Sequence, residues 1–159
     1  MLPLNRIIPD DYEKAHDDIE EMYREMADAI NGFQGTWDVT VDGSSTGTGT
    51  YTTQAGYYYR HGLLVDCWFQ VVWSAHTGSG DLRIQFPFQI KLSSDIWVGE
   101  VICNSVNYPS GTQASLKGIN NTYYAEMIST GDNIASAKVQ LAGTGDVIGH
   151  IRYIGQELT

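Results

Sequence analysis

Six side chains of this sequence have the chemistry of metal ligands: His16, His61, His76, His150, Cys67 and Cys103. No two of them stand at a spacing such as C-x-x-C or H-x-x-x-H, which would bring both to one ion. The sequence therefore predicts no metal site and no cofactor, and a threefold ring of His or Asp on an oligomer axis is the alternative. Both cysteines lie in apolar, β-branched runs, a setting that favours buried free thiols over a disulfide.

Ten acidic residues lie between positions 35 and 159, and they are the candidates for acid and base catalysis. A glycoside hydrolase needs two carboxyl groups at a set separation, but no motif pairs any two of these. Asp66 is unusual because it lies inside an apolar run, and we interpret it as a strand residue that pairs with a base such as Arg60 or Arg83. No nucleophile elbow, phosphate-binding loop or dinucleotide fingerprint occurs. We therefore predict no catalytic residue and a protein that is not an enzyme.

The charge of the chain argues against several classes of partner. With 19 acidic and 9 basic residues the net charge is −10, so a nucleic acid backbone or an anionic membrane surface would be repelled. No stretch reaches the roughly 18 apolar residues of a membrane span, and the amino terminus lacks the basic start and apolar core of a signal peptide. The sequence predicts a soluble protein that is made in a cytosol and does not insert into membranes.

Residues 10–31 show a clear helical period. Asp10 is a predicted N-cap with Glu13 three residues on, and Asn31-Gly32 provides a left-handed end. Apolar residues at a 3-4-3-4-3 spacing predict the seam of a short coiled coil: Tyr12, Ala15, Ile19, Met22, Met26 and Ala29. An amphipathic helix that packs on its own domain is the alternative. Residues 1–32 hold nine acids and three bases, a net charge of −6, and their apolar start suggests docking onto another protein.

After residue 34, short β-branched and aromatic runs alternate with Gly, Ser, Asn and Asp, without a second helical period. This texture is typical of an all-β domain. The predicted strands are 36–41, 48–53, 56–60, 63–73, 82–86, 95–103, 122–128, 135–141 and 147–154. Their number fits a jelly-roll-like antiparallel sandwich. We divide the chain into a docking segment with an oligomerising helix (1–34) and a β-sandwich head domain (35–159).

The run from Leu63 to Trp73 is apolar on both of its alternating faces. It predicts a central strand whose second face is covered by another sheet or by a neighbouring subunit. Ahead of this run, Gly56 is predicted to form a bulge or corner, and His61-Gly62 a tight turn. Since a neighbouring subunit could supply this cover, we expect the protein to form an oligomer.

Several stretches together carry a resemblance to a known family. They are residues 35–38 (GTWD), 50–65 (TYTTQAGYYYRHGLLV), 74–80 (SAHTGSG), 85–88 (QFPF) and 145–154 (GDVIGHIRYI). This succession resembles the pattern of phage tail-fibre and virion spike head domains. The resemblance implies a trimeric β-sandwich head on a helical stem, located in the virion.

Binding is the chemistry that remains, and the loops at one end of a sandwich are its usual place. We expect the loops at the end opposite the helix to contact a receptor through His76, Asn107, Tyr108 and Asn133. The resemblance implies three kinds of partner: two further copies of the chain, other virion proteins at the amino-terminal segment, and a host-surface glycan or protein. A structural virion part, such as a collar, decoration or baseplate protein, is one alternative, and a small trimeric carbohydrate-active enzyme is another.

Overall fold

The structure of the protein is a computed structural model. It describes residues 14, 16–24, 26, 32–91, 98–110 and 112–156. Residues 14, 16–24 and 26 are helical, which confirms the predicted amino-terminal helix wherever it is described. Within the described chain, no helix is long and apolar enough to cross a bilayer.

The predicted seam of this helix lies partly outside the described residues, which do not include Tyr12, Ala15 and Ala29. Its other members, Ile19, Met22 and Met26, are 47, 50 and 50% exposed. Apolar side chains exposed at this spacing are free to contact a second helix. The coiled coil itself stays a prediction.

The remaining described residues form a sheet of ten strands. They are β1 (Phe33–Trp37), β2 (Val41–Asp42), β3 (Gly49–His61), β4 (Leu64–His76), β5 (Arg83–Gln85), β6 (Val98–Asn104), β7 (Gln113–Gly118), β8 (Tyr124–Gly131), β9 (Ile134–Lys138) and β10 (Gly145–Ile154). The sheet is continuous in the order β1-β3-β4-β10-β6-β7-β8-β5-β2, and β9 pairs with β8. Each strand pair is antiparallel.

The sheet curls so that its two halves pack against each other around an apolar core. From β4 the core takes alternate residues, and from the other half it takes buried side chains of β5, β7 and β8: Val65, Cys67, Phe69, Val71, Trp73, Ile84, Leu116 and Met127. Phe86 joins the halves, because its ring meets Phe69 and Tyr153 edge-on at centroid distances of 5.7 and 6.0 Å. This confirms the predicted mostly-β antiparallel sandwich with one amino-terminal helix. The jelly-roll connectivity and the trimer stay predictions.

β3 runs without interruption where two strands had been predicted. Gly56 lies inside β3 opposite Phe69, and the irregularities of register occur earlier, around Tyr51. The predicted bulge at Gly56 is therefore wrong. Glycine is required there for another reason, because the Trp37 ring occupies the space that a side chain would fill. The predicted turn after His61 is confirmed, with Gly62 in the left-handed region at φ 58°.

Other strand predictions differ from the structure in ways that have physical causes. The predicted strand 36–41 is divided between β1 and β2, and β1 already begins at Phe33, ahead of the predicted domain start at residue 35. β7 was not predicted, because its sequence QASLKG has neither an apolar run nor β-branched residues. It is held by pairing with both β6 and β8.

A buried arginine fastens the end of the sheet from which β1 starts. Arg60 is 2% exposed. Its Nε donates to the carbonyl of Gly62 at 2.8 Å, and its Nη2 donates to the carbonyl of Gln156 at 2.5 Å. Its guanidinium lies 4.7 Å from the ring centre of Phe88. Burial lowers the pKa of Arg60 from its ordinary value. This residue thus links the β3–β4 hairpin to the segment that follows β10.

Candidate functional site

The side chains of the candidate site lie on the solvent side of β3, β4, β10 and β6, which we call the outer face. On β4 the buried core residues alternate with residues that point the other way, such as Asp66 and Trp68. β10 pairs with β4 over ten positions, which brings His150 opposite Trp68 and Arg152 opposite Asp66. The second face of β4 was predicted to be covered. Within the described chain no second sheet covers Trp68, which is 44% exposed, and cover by a neighbouring subunit stays a prediction.

Three aromatic rings form a row across the outer face. Tyr57, Trp68 and His150 occupy matching positions on β3, β4 and β10. The Tyr57 and Trp68 ring centroids are 6.1 Å apart at a tilt of 39°, and His150 stacks on Trp68 at 5.0 Å and 28°. The Tyr57 hydroxyl also bonds to the side-chain amide oxygen of Gln34. Packed neighbours therefore fix the orientation of rings that remain accessible to solvent.

A charge cluster lies beside the aromatic row. Asp66, 7% exposed, accepts two parallel hydrogen bonds from Arg152, from Nε at 2.7 Å and from Nη2 at 2.8 Å. His150 Nε2 donates to the same carboxylate at 3.2 Å. Burial alone would raise the pKa of Asp66, but the bonds from Arg152 and His150 outweigh it and hold this pKa below its ordinary value.

The pairing of Asp66 with a base was predicted, but the predicted partners are wrong. Arg60 cannot reach Asp66 because it is buried on the opposite face, bonded to backbone carbonyls. Arg83 lies on β5 and bonds instead to Glu126 at 3.4 Å. The partner is Arg152, 86 positions along the chain, which the strand register places directly opposite.

Two shallow depressions adjoin each other on the outer face. One has a volume of about 570 Å³ and the other of about 330 Å³. They share Trp68, Ile148 and Gly149 as lining residues, so they lie side by side across the strands, and we call the two together the trough. Ile148 and Ile102 line it with side chains that are 42 and 68% exposed. Volumes of a few hundred Å³ are typical of small-ligand sites.

The predicted contact residues lie elsewhere, at the end of the sheet farthest from Gly62. Antiparallel pairing brings the turns after β4, β6 and β8 to that end. Asn107 and Asn133 are exposed there, and Asn133 adopts a left-handed φ of 55°. Tyr108 packs partly against the core. Contact of these residues with a receptor stays a prediction.

His76, the fourth predicted contact residue, holds backbone together. Its Nδ1 accepts from the amide of Gly78 at 2.9 Å, so Nε2 carries the hydrogen and donates to the carbonyl of Val41 at 3.2 Å. Both ring nitrogens are thus already bonded within the domain. A receptor would meet the remaining edge of a half-buried ring.

Neither cysteine forms a disulfide, which confirms the prediction of free thiols. Cys67 is fully buried, and burial raises its pKa to about 12. Cys103 is half-buried, and its pKa is raised to about 11 for the same reason. Across the described ranges, no group of three His, Cys, Asp or Glu side chains is placed to hold a metal ion. Because burial raises their pKa values, both thiols are largely protonated and are poor nucleophiles at neutral pH.

A second cluster of charges lies at the edge strand β9. Lys138 Nζ is 2.9 Å from Asp81 and 3.0 Å from Glu126, and Gln140 also donates to Asp81 at 2.9 Å. The Lys138 side chain is 49% exposed. These contacts attach β9 to the body of the sheet.

Sequence reasoning did not identify Trp68, His150, Ile148 or Ile102 as site residues. One signal was present, namely the apolar character of both faces of the run from Leu63 to Trp73. Finding the site also requires the register between β4 and β10, which no local pattern supplies.

No family model and no curated protein matches this chain. Among solved structures, its fold is similar to part of the crystal structure of the Dettilon tailspike protein, with a TM-score of 0.54 and 15% sequence identity. The similarity covers 76% of this chain and 23% of the tailspike chain. At this identity, what the two proteins share is the fold.

Proposed function

We propose that this chain is a head domain of a phage-type tail fibre or spike, located in the virion, which attaches the particle to a receptor on the host surface. The observation that carries the proposal is the similarity of its fold, over 76% of the chain, to a tailspike protein. Fold similarity alone does not define a function. The outer face adds the second argument, since exposed aromatic and apolar side chains arranged in a trough are a typical binding surface.

The proposal extends to a trimer held in part by the amino-terminal helix. The exposed residues Ile19, Met22 and Met26 support it, because their spacing forms one apolar stripe. A short stripe of this kind gives little stability alone, so contacts between heads would have to contribute as well. Other virion proteins would bind the amino-terminal segment.

We further propose that the head binds its receptor without cleaving it. Glycoside hydrolysis needs a carboxyl group with a raised pKa as the general acid. Asp66, the buried carboxylate of the outer face, has a lowered pKa and a bidentate arginine partner. This arrangement suits a structural role in a binding surface.

The proposed function is tested by incubating the fluorescently labelled full chain with a broad panel of intact bacterial strains. We expect saturable binding to some strains and inhibition by excess unlabelled protein. Surface polysaccharide from a bound strain should show no increase in reducing ends after incubation with the chain. Failure to bind any strain would favour a collar, decoration or baseplate part, and new reducing ends would identify an enzyme.

The trimer is tested by light scattering of the full chain beside two variants of the helix. Met22→Asp places a charge in the predicted seam, whereas Tyr23→Asp places it at a neighbouring position that is 64% exposed. We expect a trimer for the unchanged chain and for Tyr23→Asp, and partial or complete dissociation for Met22→Asp. A monomer in all three samples would contradict the proposed assembly.

A further inference from the structure

We propose that the outer face binds an uncharged saccharide chain, which crosses the strands from β3 to β6 with sugar rings stacked on Trp68 and Tyr57. The inference rests on the proposed function, which requires a receptor on the host surface. It adds the chemical class of that receptor and a place of contact on the side of the sheet, away from the end loops.

The shape of the outer face suits a chain molecule. Neighbouring strands are about 4.8 Å apart, so the distance from β3 to β6 is about 14 Å. Over this distance the two depressions, of about 570 and 330 Å³, follow one another and share the wall made by Trp68 and Ile148. The trough is shallow and lies along a sheet surface, so a polymer can lie across it without having to end there.

The chemistry of the lining matches that of a sugar ring, which has an apolar face of C–H groups and a rim of hydroxyls. Trp68 and Tyr57 are 44 and 42% exposed and offer aromatic surface to the C–H face. Their rings are already held by His150 and Gln34, so little conformational entropy is lost on binding. The exposed side chain of Thr36 at the rim of the trough is available to sugar hydroxyls.

The charge of the lining selects against acidic polymers. Among the described residues that line the two depressions, the charged ones are Asp38 and Glu100, and there is no lysine or arginine. The nearest cation on these strands, Arg152, already has a bidentate carboxylate partner in Asp66. A sugar carboxylate or phosphate would meet two carboxylates within a chain of net charge −10, without a free cation to compensate it.

The size of the apolar surface argues against a second copy of this chain as the occupant. A stable interface buries about 800 Å² on each partner and involves 20 to 30 residues of each. On the described outer face, the large apolar side chains that are more than 40% exposed are Tyr57, Trp68, Ile102 and Ile148. This is a small surface for a subunit contact and a suitable one for a few sugar rings.

The test is affinity electrophoresis of the full chain through gels that contain either neutral or uronic-acid-containing bacterial polysaccharides. We expect retardation by at least one neutral polymer and by none of the acidic ones. Trp68→Ala should weaken the retardation about tenfold or more, since it removes the central stacking ring. Tyr123→Ala is the matched control, because Tyr123 is an aromatic residue with 47% exposure outside the trough. It should bind as the unchanged chain does.

A further variant separates binding from folding. Ile102 is 68% exposed, so Ile102→Ala leaves the core intact and should weaken retardation by a smaller factor. Retardation by acidic polymers alone would overturn the proposed preference for an uncharged saccharide and leave the proposed function standing. Undiminished binding by folded Trp68→Ala would overturn the site. If the labelled chain binds cells but no polysaccharide retards it, the inference fails while the proposed function holds.

Discussion

The two charge clusters of this domain have opposite arrangements, because one lysine contacts two carboxylates at β9 and one carboxylate contacts an arginine and a histidine on the outer face. At β9, Lys138, whose side chain is 49% exposed, contacts Asp81 and Glu126, whose side chains are 22 and 13% exposed. On the outer face, Asp66, whose side chain is 10% exposed, receives a planar, bidentate guanidinium from Arg152, whose side chain is 60% exposed, together with an imidazole. Both cations are exposed, so water and salt screen both pairs, but the carboxylate of Asp66 is more enclosed than that of Asp81 and accepts three hydrogen bonds, which makes it more costly to disturb.

The two charge clusters also have different roles. The cluster at β9 joins an edge strand to its neighbours, so its loss would loosen one strand. The outer-face cluster orients His150, which in turn stacks on Trp68. A change in the second cluster would therefore reach the proposed binding surface as well as the fold.

The largest expected effect is that of Asp66→Ala. It removes the acceptor of three hydrogen bonds from a buried position and should lower the free energy of unfolding by about 2 to 3 kcal/mol. Urea denaturation of the full chain measures this change. Asp81→Ala is the matched control at the β9 cluster, and its effect should be clearly smaller. Equal losses for both variants would show that burial does not distinguish the clusters.

An intermediate effect is expected on acidification. The pKa of Asp66 is lowered in the folded protein, so its contribution to stability is fully present above the unfolded-state pKa of about 4 and is lost as the pH falls through the folded-state value. As the pH falls below about 4, the unchanged chain should lose more stability than Asp66→Asn. Thermal unfolding across this range is the measurement. Parallel losses in the two proteins would refute the assignment.

The smallest expected effect is that of Lys138→Ala. Because this side chain is exposed, its loss should shift the melting temperature only slightly, and 1 M NaCl should abolish the difference. The same salt should leave most of the difference between Asp66→Ala and the unchanged chain in place. A salt-resistant effect of Lys138→Ala would mean that the β9 cluster is more enclosed than the structure shows.

Sequence patterns correctly predicted the features that depend on interactions between residues close together in the chain. The apolar character of both faces of the run from Leu63 to Trp73 identified the central strand, and His61-Gly62 identified its hairpin, because strand character and turn chemistry depend on near neighbours. Asp66 was recognised as a paired carboxylate from its place inside this apolar run. Its partner Arg152 was missed, since 86 residues separate them and only the register of β10 against β4 brings them together.

The remaining errors have the same origin. β7 has no strand signal of its own and exists because β6 and β8 lie on either side of it. Gly56 was taken as a bulge on its residue type, but its cause is the Trp37 ring from another strand. The trough is likewise a product of register, since Trp68, Ile148 and Ile102 come from three different strands.

The long strands have a mechanical consequence. β1 and β4 start, and β3 and β10 end, at the same end of the sheet. There Arg60 joins the β3–β4 hairpin to Gln156. If the helix is tethered and a ligand on the outer face is pulled away from it, the force enters through β1 and passes by its five-residue pairing with β3 into β3, β4 and β10. The hydrogen bonds between these strands are perpendicular to that direction, so they are loaded in shear and share the force across 13- and 10-residue strands. We expect such a domain to bear a load without unzipping from one end.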